Sequence, residues 1–130
     1  MKNLFILLLF CTITSFAQIG KSFDEMISII KSNNSYKDYK IVKQENSYSI
    51  EAVVLDNNYI KDVFYFGYND NLCYLIGRYL NKPRLNSTIE ESNKNFVKLS
   101  DLKWKDYFSK TIFEIIIEQD FFIEMIYKEK

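Results

Sequence analysis

Histidine is absent from all 130 residues, and with it goes a large part of enzyme chemistry. Ser–His–Asp triads, Cys–His pairs and imidazole metal sites are excluded. Glycine is scarce, with Gly20, Gly67 and Gly77 as the whole supply, so no glycine-rich phosphate loop can be written. Pro83 is the single proline. No excess of either charge exists, because 17 basic residues face 17 acidic ones. A balanced chain has no field to draw in a polyanion, so a nucleic-acid partner is not expected.

The N-terminus has the layout of a secretory leader. Met1-Lys2-Asn3 is a short, weakly positive start, and Leu4 to Phe10 is an unbroken apolar run. Ser15-Phe16-Ala17 then offers small residues at the two positions a signal peptidase reads. That run is about half the ~20 residues a spanning helix needs. The sequence therefore predicts a signal peptide over 1–17 and one exported domain over 18–130, in the periplasm or secreted. No other segment is apolar enough to form a stable membrane span after cleavage. Cleavage removes Cys11 and leaves Cys73 alone, so no internal disulfide can form. The domain must then be held by its core, and aromatic residues supply the material.

Ser22 with Glu25 three residues on is a capping box, and Phe23, Met26, Ile27 and Ile30 fall on one helical face. A helix is predicted over 23–32. Four strands follow: one around Tyr39 and Ile41, then 48–55, 59–68 and 72–80, separated by Asn- and Asp-rich turns. Pro83 ends the fourth. Ser87 with Glu90 repeats the capping pattern and predicts a second helix over 88–96. Three further strands complete an α-β-β-β-β-α-β-β-β order. The predicted fold class is α+β, an antiparallel sheet of six to seven strands with two helices packed on it. For the last hairpin, an odd loop of Gln119-Asp120-Phe121 pairing Glu118 with Phe122 would avoid setting Glu114 opposite Glu124.

Candidate chemistry is sparse. Glu114, Glu118 and Glu124 alternate with isoleucines as on a solvated sheet face. Asp56-Asn57-Asn58 and Asn69-Asp70-Asn71 hold too few oxygens for calcium and lack the spacing of a calcium loop. Neither a metal nor a cofactor is expected. Cys73, inside Leu72-Cys73-Tyr74-Leu75-Ile76, is a buried thiol with no base to activate it, and a disulfide between chains is the residual alternative. Ser28-x-x-Lys31 lacks the companion motifs of its class.

Aromatic surplus is the most informative feature. Tyrosine and tryptophan join apolar area to a polar tip, which suits binding surfaces. Tyr65, Tyr74, Tyr79, Trp104 and Tyr107 are the candidate binding residues. The leader ending Ser15-Phe16-Ala17-Gln18, the Asn71-Leu72-Cys73-Tyr74 segment, Leu85-Asn86-Ser87 and Val97-Lys98-Leu99-Ser100-Asp101 before Trp104 resemble small exported proteins of Bacteroidetes-type bacteria. That resemblance implies export and a single domain and transfers no site residue.

The leading expectation is a non-enzymatic exported domain that binds a protein or another ligand through an aromatic-rich sheet face or edge. A carboxylate-dependent hydrolase using Asp101, Asp106, Glu114 and Glu118 is one alternative, and an inhibitor or immunity-type protein is another. The β-prone run Ile112 to Ile117 makes the C-terminal hairpin a candidate edge for self-association.

Overall fold

The computed structural model describes residues 18–130; the leader expected over 1–17 lies outside them. The first helix, α1, runs Phe23–Ser32, as the periodicity predicts. Ser22 Oγ accepts a hydrogen bond from Glu25 N at 3.3 Å, which satisfies one of the free N–H groups of the first turn. Met26 and Ile30 are buried.

Four strands follow: β1 (Tyr36–Lys43), β2 (Ser47–Asp56), β3 (Tyr59–Gly67) and β4 (Cys73–Asn81). A 3-10 turn, Lys82–Arg84, carries Pro83 in its first positions and leads directly into α2, Leu85–Asn95. The second helix thus begins three residues before the expected start. Pro83 does more than end a strand: its fixed φ suits the first turn of a helix. Ser87 and Thr88 both donate to the carbonyl of Arg84, at 3.0 and 2.7 Å, so Ser87 is inside the helix and caps nothing.

The sheet has eight strands, not six or seven. The extra strand is β5 (Val97–Ser100), followed by β6 (Lys103–Asp106), β7 (Thr111–Ile117) and β8 (Phe121–Lys128). All of β5 is exposed, so no burial rhythm marks it in the sequence. The strand order is β1-β2-β3-β4-β8-β7-β6-β5, and every pair is antiparallel. The chain therefore writes a helix followed by a four-strand meander twice over, and joins the two meanders at β4 and β8. Both β7 and β8 have hydrogen-bonded neighbours on each side, so the C-terminal hairpin is not a free edge; β1 and β5 are the outer strands.

The last hairpin also departs from its expected register. Ile117 pairs with Phe122, and Glu118 N donates to the Phe121 carbonyl at 2.9 Å around a two-residue turn, Gln119–Asp120. One residue of slip reverses every side chain in a strand. The core face of this hairpin is consequently Phe113 and Ile115 with Phe122, Glu124 and Ile126, while Ile123, Met125 and Tyr127 look the other way. Glu114 and Glu124 lie on opposite faces.

Both helices cover one face of the sheet. Trp104, Phe64, Phe66 and Phe122 are fully enclosed there with Met26, Ile50, Ile76 and Ile126. Phe23 of α1 meets Phe66 edge-on at 5.4 Å, and Phe96, just past α2, stacks on Phe113 at 4.4 Å. Rings packed this way add to the stabilisation from area burial. Cys73 belongs to this core at 1% exposure. No helix among the described residues is long and apolar enough to cross a membrane.

Candidate ligand-binding cavity

Three neighbouring strands place three charges in a row on the covered face. Asp62 of β3 lies directly opposite Arg78 of β4, and Arg78 lies directly opposite Glu124 of β8. Arg78 Nε is 4.0 Å from Asp62 Oδ1, and Arg78 Nη1 is 3.8 Å from Glu124 Oε1. Asp62 and Glu124 are only 6% and 9% exposed. Charges this deep require partners, and Asp62 has two more. Tyr36 Oη donates to Oδ2 at 2.7 Å, and Tyr59 Oη donates to Oδ1. A bulge between Tyr59 and Lys61 turns Tyr59 inward to reach Asp62.

Burial raises the carboxyls of Asp62 and Glu124 above their ordinary values, against the pull of Arg78. Burial also opposes the charge of Arg78, but Tyr59, Asp62 and Glu124 outweigh it and hold the guanidinium protonated. Tyr59 is pushed well up, chiefly by burial.

Beside this row a cavity of about 90 Å³ opens between sheet and helix. Its floor is Arg78, Leu80, Phe113 and Glu124; its roof is the α2 face carrying Thr88, Glu91, Ser92 and Asn95, with Arg84 on the wall. The Nε atoms of Arg78 and Arg84 are buried and have no hydrogen-bond partner among the described residues. A buried donor left unmet costs about 1–3 kcal/mol. These two residues are the only arginines among 17 basic side chains, and both line one cavity. Arginine presents a rigid fork of donors that a lysine lacks.

The candidate residues from the sequence fall elsewhere. Trp104 is fully enclosed, and its indole N–H donates to Asn93 Oδ1 at 2.8 Å; its role is to fix α2 to the sheet. Tyr65 and Tyr79 come together on the uncovered face. Burial and a hydrogen bond with Tyr79 push Tyr65 up to about 12. Lys61 Nζ lies 4.8 Å above the Tyr79 ring, and Phe121 stacks on it at 5.8 Å. Tyr74 is exposed beside an apolar groove with Leu75, Ile116 and Met125. Tyr107 is exposed, just past β6, with Lys105 Nζ 4.3 Å above its ring.

The four carboxylates considered for hydrolysis are not assembled. Asp101 is fully exposed in a turn and pairs with Lys98 at 3.9 Å. Asp106 accepts from Phe108 N at 3.1 Å and Ser109 Oγ at 2.7 Å. Glu114 accepts from Tyr127 Oη at 3.1 Å on the uncovered face. Glu118 lies at the last turn.

Sequence reasoning missed Asp62, Arg78 and Arg84, and it read Glu124, which is buried, as part of a solvated sheet face. A signal was present for three of them: each breaks an apolar alternation. Asp62 precedes Phe64 and Phe66, Arg78 sits between Ile76 and Leu80, and Glu124 sits between Phe122 and Ile126. No protein-family model, no curated protein and no solved structure matches the chain.

Proposed function

We propose that this chain is a non-enzymatic exported binding domain that holds a small polar ligand in the cavity between the sheet and α2. One observation carries the reading: both arginines of the chain line that cavity with a buried Nε–H unmet. Two such donors cost a few kcal/mol together, against a total stability on the order of 5–15 kcal/mol for a domain. A ligand oxygen that accepts from them recovers that loss on binding. The uncovered face is less suited to the role, because Tyr65, Tyr79, Lys61 and Phe121 already satisfy one another there.

The test is a thermal melt of the mature domain against a panel of small polar metabolites, repeated with Ser92→Leu, which fills the cavity, and Arg84→Gln, which removes a donor at a half-buried position. At least one ligand class is expected to raise the Tm of the parent and to lose that effect in both folded variants. Equal shifts in parent and variants, or no shift across the panel, would overturn the proposal.

A further inference from the structure

Resting on that binding reading, we infer that the ligand is a small zwitterion: one carboxylate and one ammonium a few bonds apart, the size of the smallest α-amino acids. Size sets the first limit. A volume of about 90 Å³ has room for a handful of waters, each needing roughly 10–15 Å³ of such space, so the ligand is a small molecule.

Charge sets the second limit. The floor carries Arg78 and Glu124, and the side facing it carries Arg84 and Glu91. Each side thus presents one charge of each sign. Asp62 stands behind Arg78 and takes part of its field. A bare anion would meet Arg84 but also the carboxylates of Glu91 and Glu124. A bare cation would satisfy those carboxylates and leave both arginine Nε–H groups unmet. A zwitterion answers both demands. Its carboxylate accepts from Arg78 and Arg84, and charge-assisted hydrogen bonds of this kind are the strong ones. Its ammonium donates to Glu91 at the mouth and Glu124 at the floor.

Shape sets the third limit. Leu80, Phe96 and Phe113 supply the apolar part of the lining, with the Phe96 ring stacked on Phe113, and a short apolar side chain of the ligand would lie against them. Glycine and alanine are the simplest zwitterions that meet this description.

The experiment reads the two arginine Nε–H resonances by ¹⁵N-edited NMR of the mature domain, which contains only Arg78 and Arg84. The probes are glycine, alanine, acetate, ethylammonium and acetamide, each titrated separately. Glycine and alanine are expected to shift both resonances with saturation, at concentrations at least tenfold lower than acetate, ethylammonium or acetamide. Glu91→Gln, at an exposed position, is expected to weaken alanine at least tenfold. If acetate, ethylammonium or acetamide saturates as readily as alanine, the zwitterion assignment falls while the binding cavity stands. If no probe moves either resonance, this assignment falls, and the melting panel then decides separately whether the cavity binds anything else.

Discussion

Arg78 and Glu124 face each other directly across β4 and β8, with Nη1 3.8 Å from Oε1 at the centre of the eight-stranded sheet. This cross-strand contact joins the two meanders, and it explains why a glutamate occupies the core face of the last strand. Removing the guanidinium leaves Asp62 and Glu124 buried together without their shared counter-charge.

Arg78→Met is therefore expected to cost about 3–5 kcal/mol at neutral pH, the usual penalty for breaking a buried pair from one side. Adding Glu124→Gln to that variant should recover part of the loss. Urea denaturation of the single and double variants measures both. A double variant no more stable than the single would contradict a buried charge row.

The pH dependence follows from the raised carboxyls of Asp62 and Glu124. A carboxyl with a raised native pKa keeps a proton that the unfolded chain releases. Its destabilising contribution is absent below the ordinary carboxylate range near 4 and grows as pH rises through the native value. Glu124→Gln removes one such contribution. Relative to the parent, it should be more favourable at pH 8 than at pH 4, as read from the difference in Tm at the two pH values. A difference that stays constant with pH would show that Glu124 titrates normally.

Cys73 should be inert in the folded domain. Burial pushes its thiol up to about 12, against weaker hydrogen bonds from the backbone, and only the thiolate attacks a labelling reagent. Native protein at pH 8 is expected to resist a thiol reagent that modifies it fully in denaturant. Rapid stoichiometric labelling of folded protein, or a dimer that dissociates on reduction, would contradict this placement.

Ser22→Ala should lower stability by about 1 kcal/mol, the usual worth of a serine cap, since Ser22 Oγ accepts from Glu25 N at the start of α1. Chemical denaturation is again the measurement. No change would mean that tertiary contacts alone hold that helix end.

Much of the fold is legible in the residues themselves. Ser22 and the Phe23, Met26, Ile30 spacing specify α1, and the Asn- and Asp-rich turns specify the first meander. The second half is harder for a physical reason. In Thr111–Ile117 both faces are apolar, with Phe113 and Ile115 on one and Ile112 and Ile116 on the other, so alternation cannot say which face turns inward. Glu124 then looks like a surface residue until Arg78 is seen opposite it. β5 leaves no trace because Val97 and Leu99 are both exposed. The doubled helix-and-meander order leaves no repeat in the sequence, because the two halves conserve direction and pairing rather than residue identity.

The cavity is legible only in part. Asp62, Arg78 and Glu124 each interrupt an apolar series, yet their convergence depends on a sheet order that joins β4 to β8. Tyr65 and Tyr79, named from the sequence as candidate binding residues, share the uncovered face and pair with each other there.

The most direct measurement is a crystal structure of residues 18–130 with the metabolite that raises their Tm most. Ligand density is predicted between sheet and α2, within hydrogen-bond distance of Arg78 Nε and Arg84 Nε. Ligand on the uncovered face beside Tyr74, with only water between Arg84 and Glu124, would contradict it.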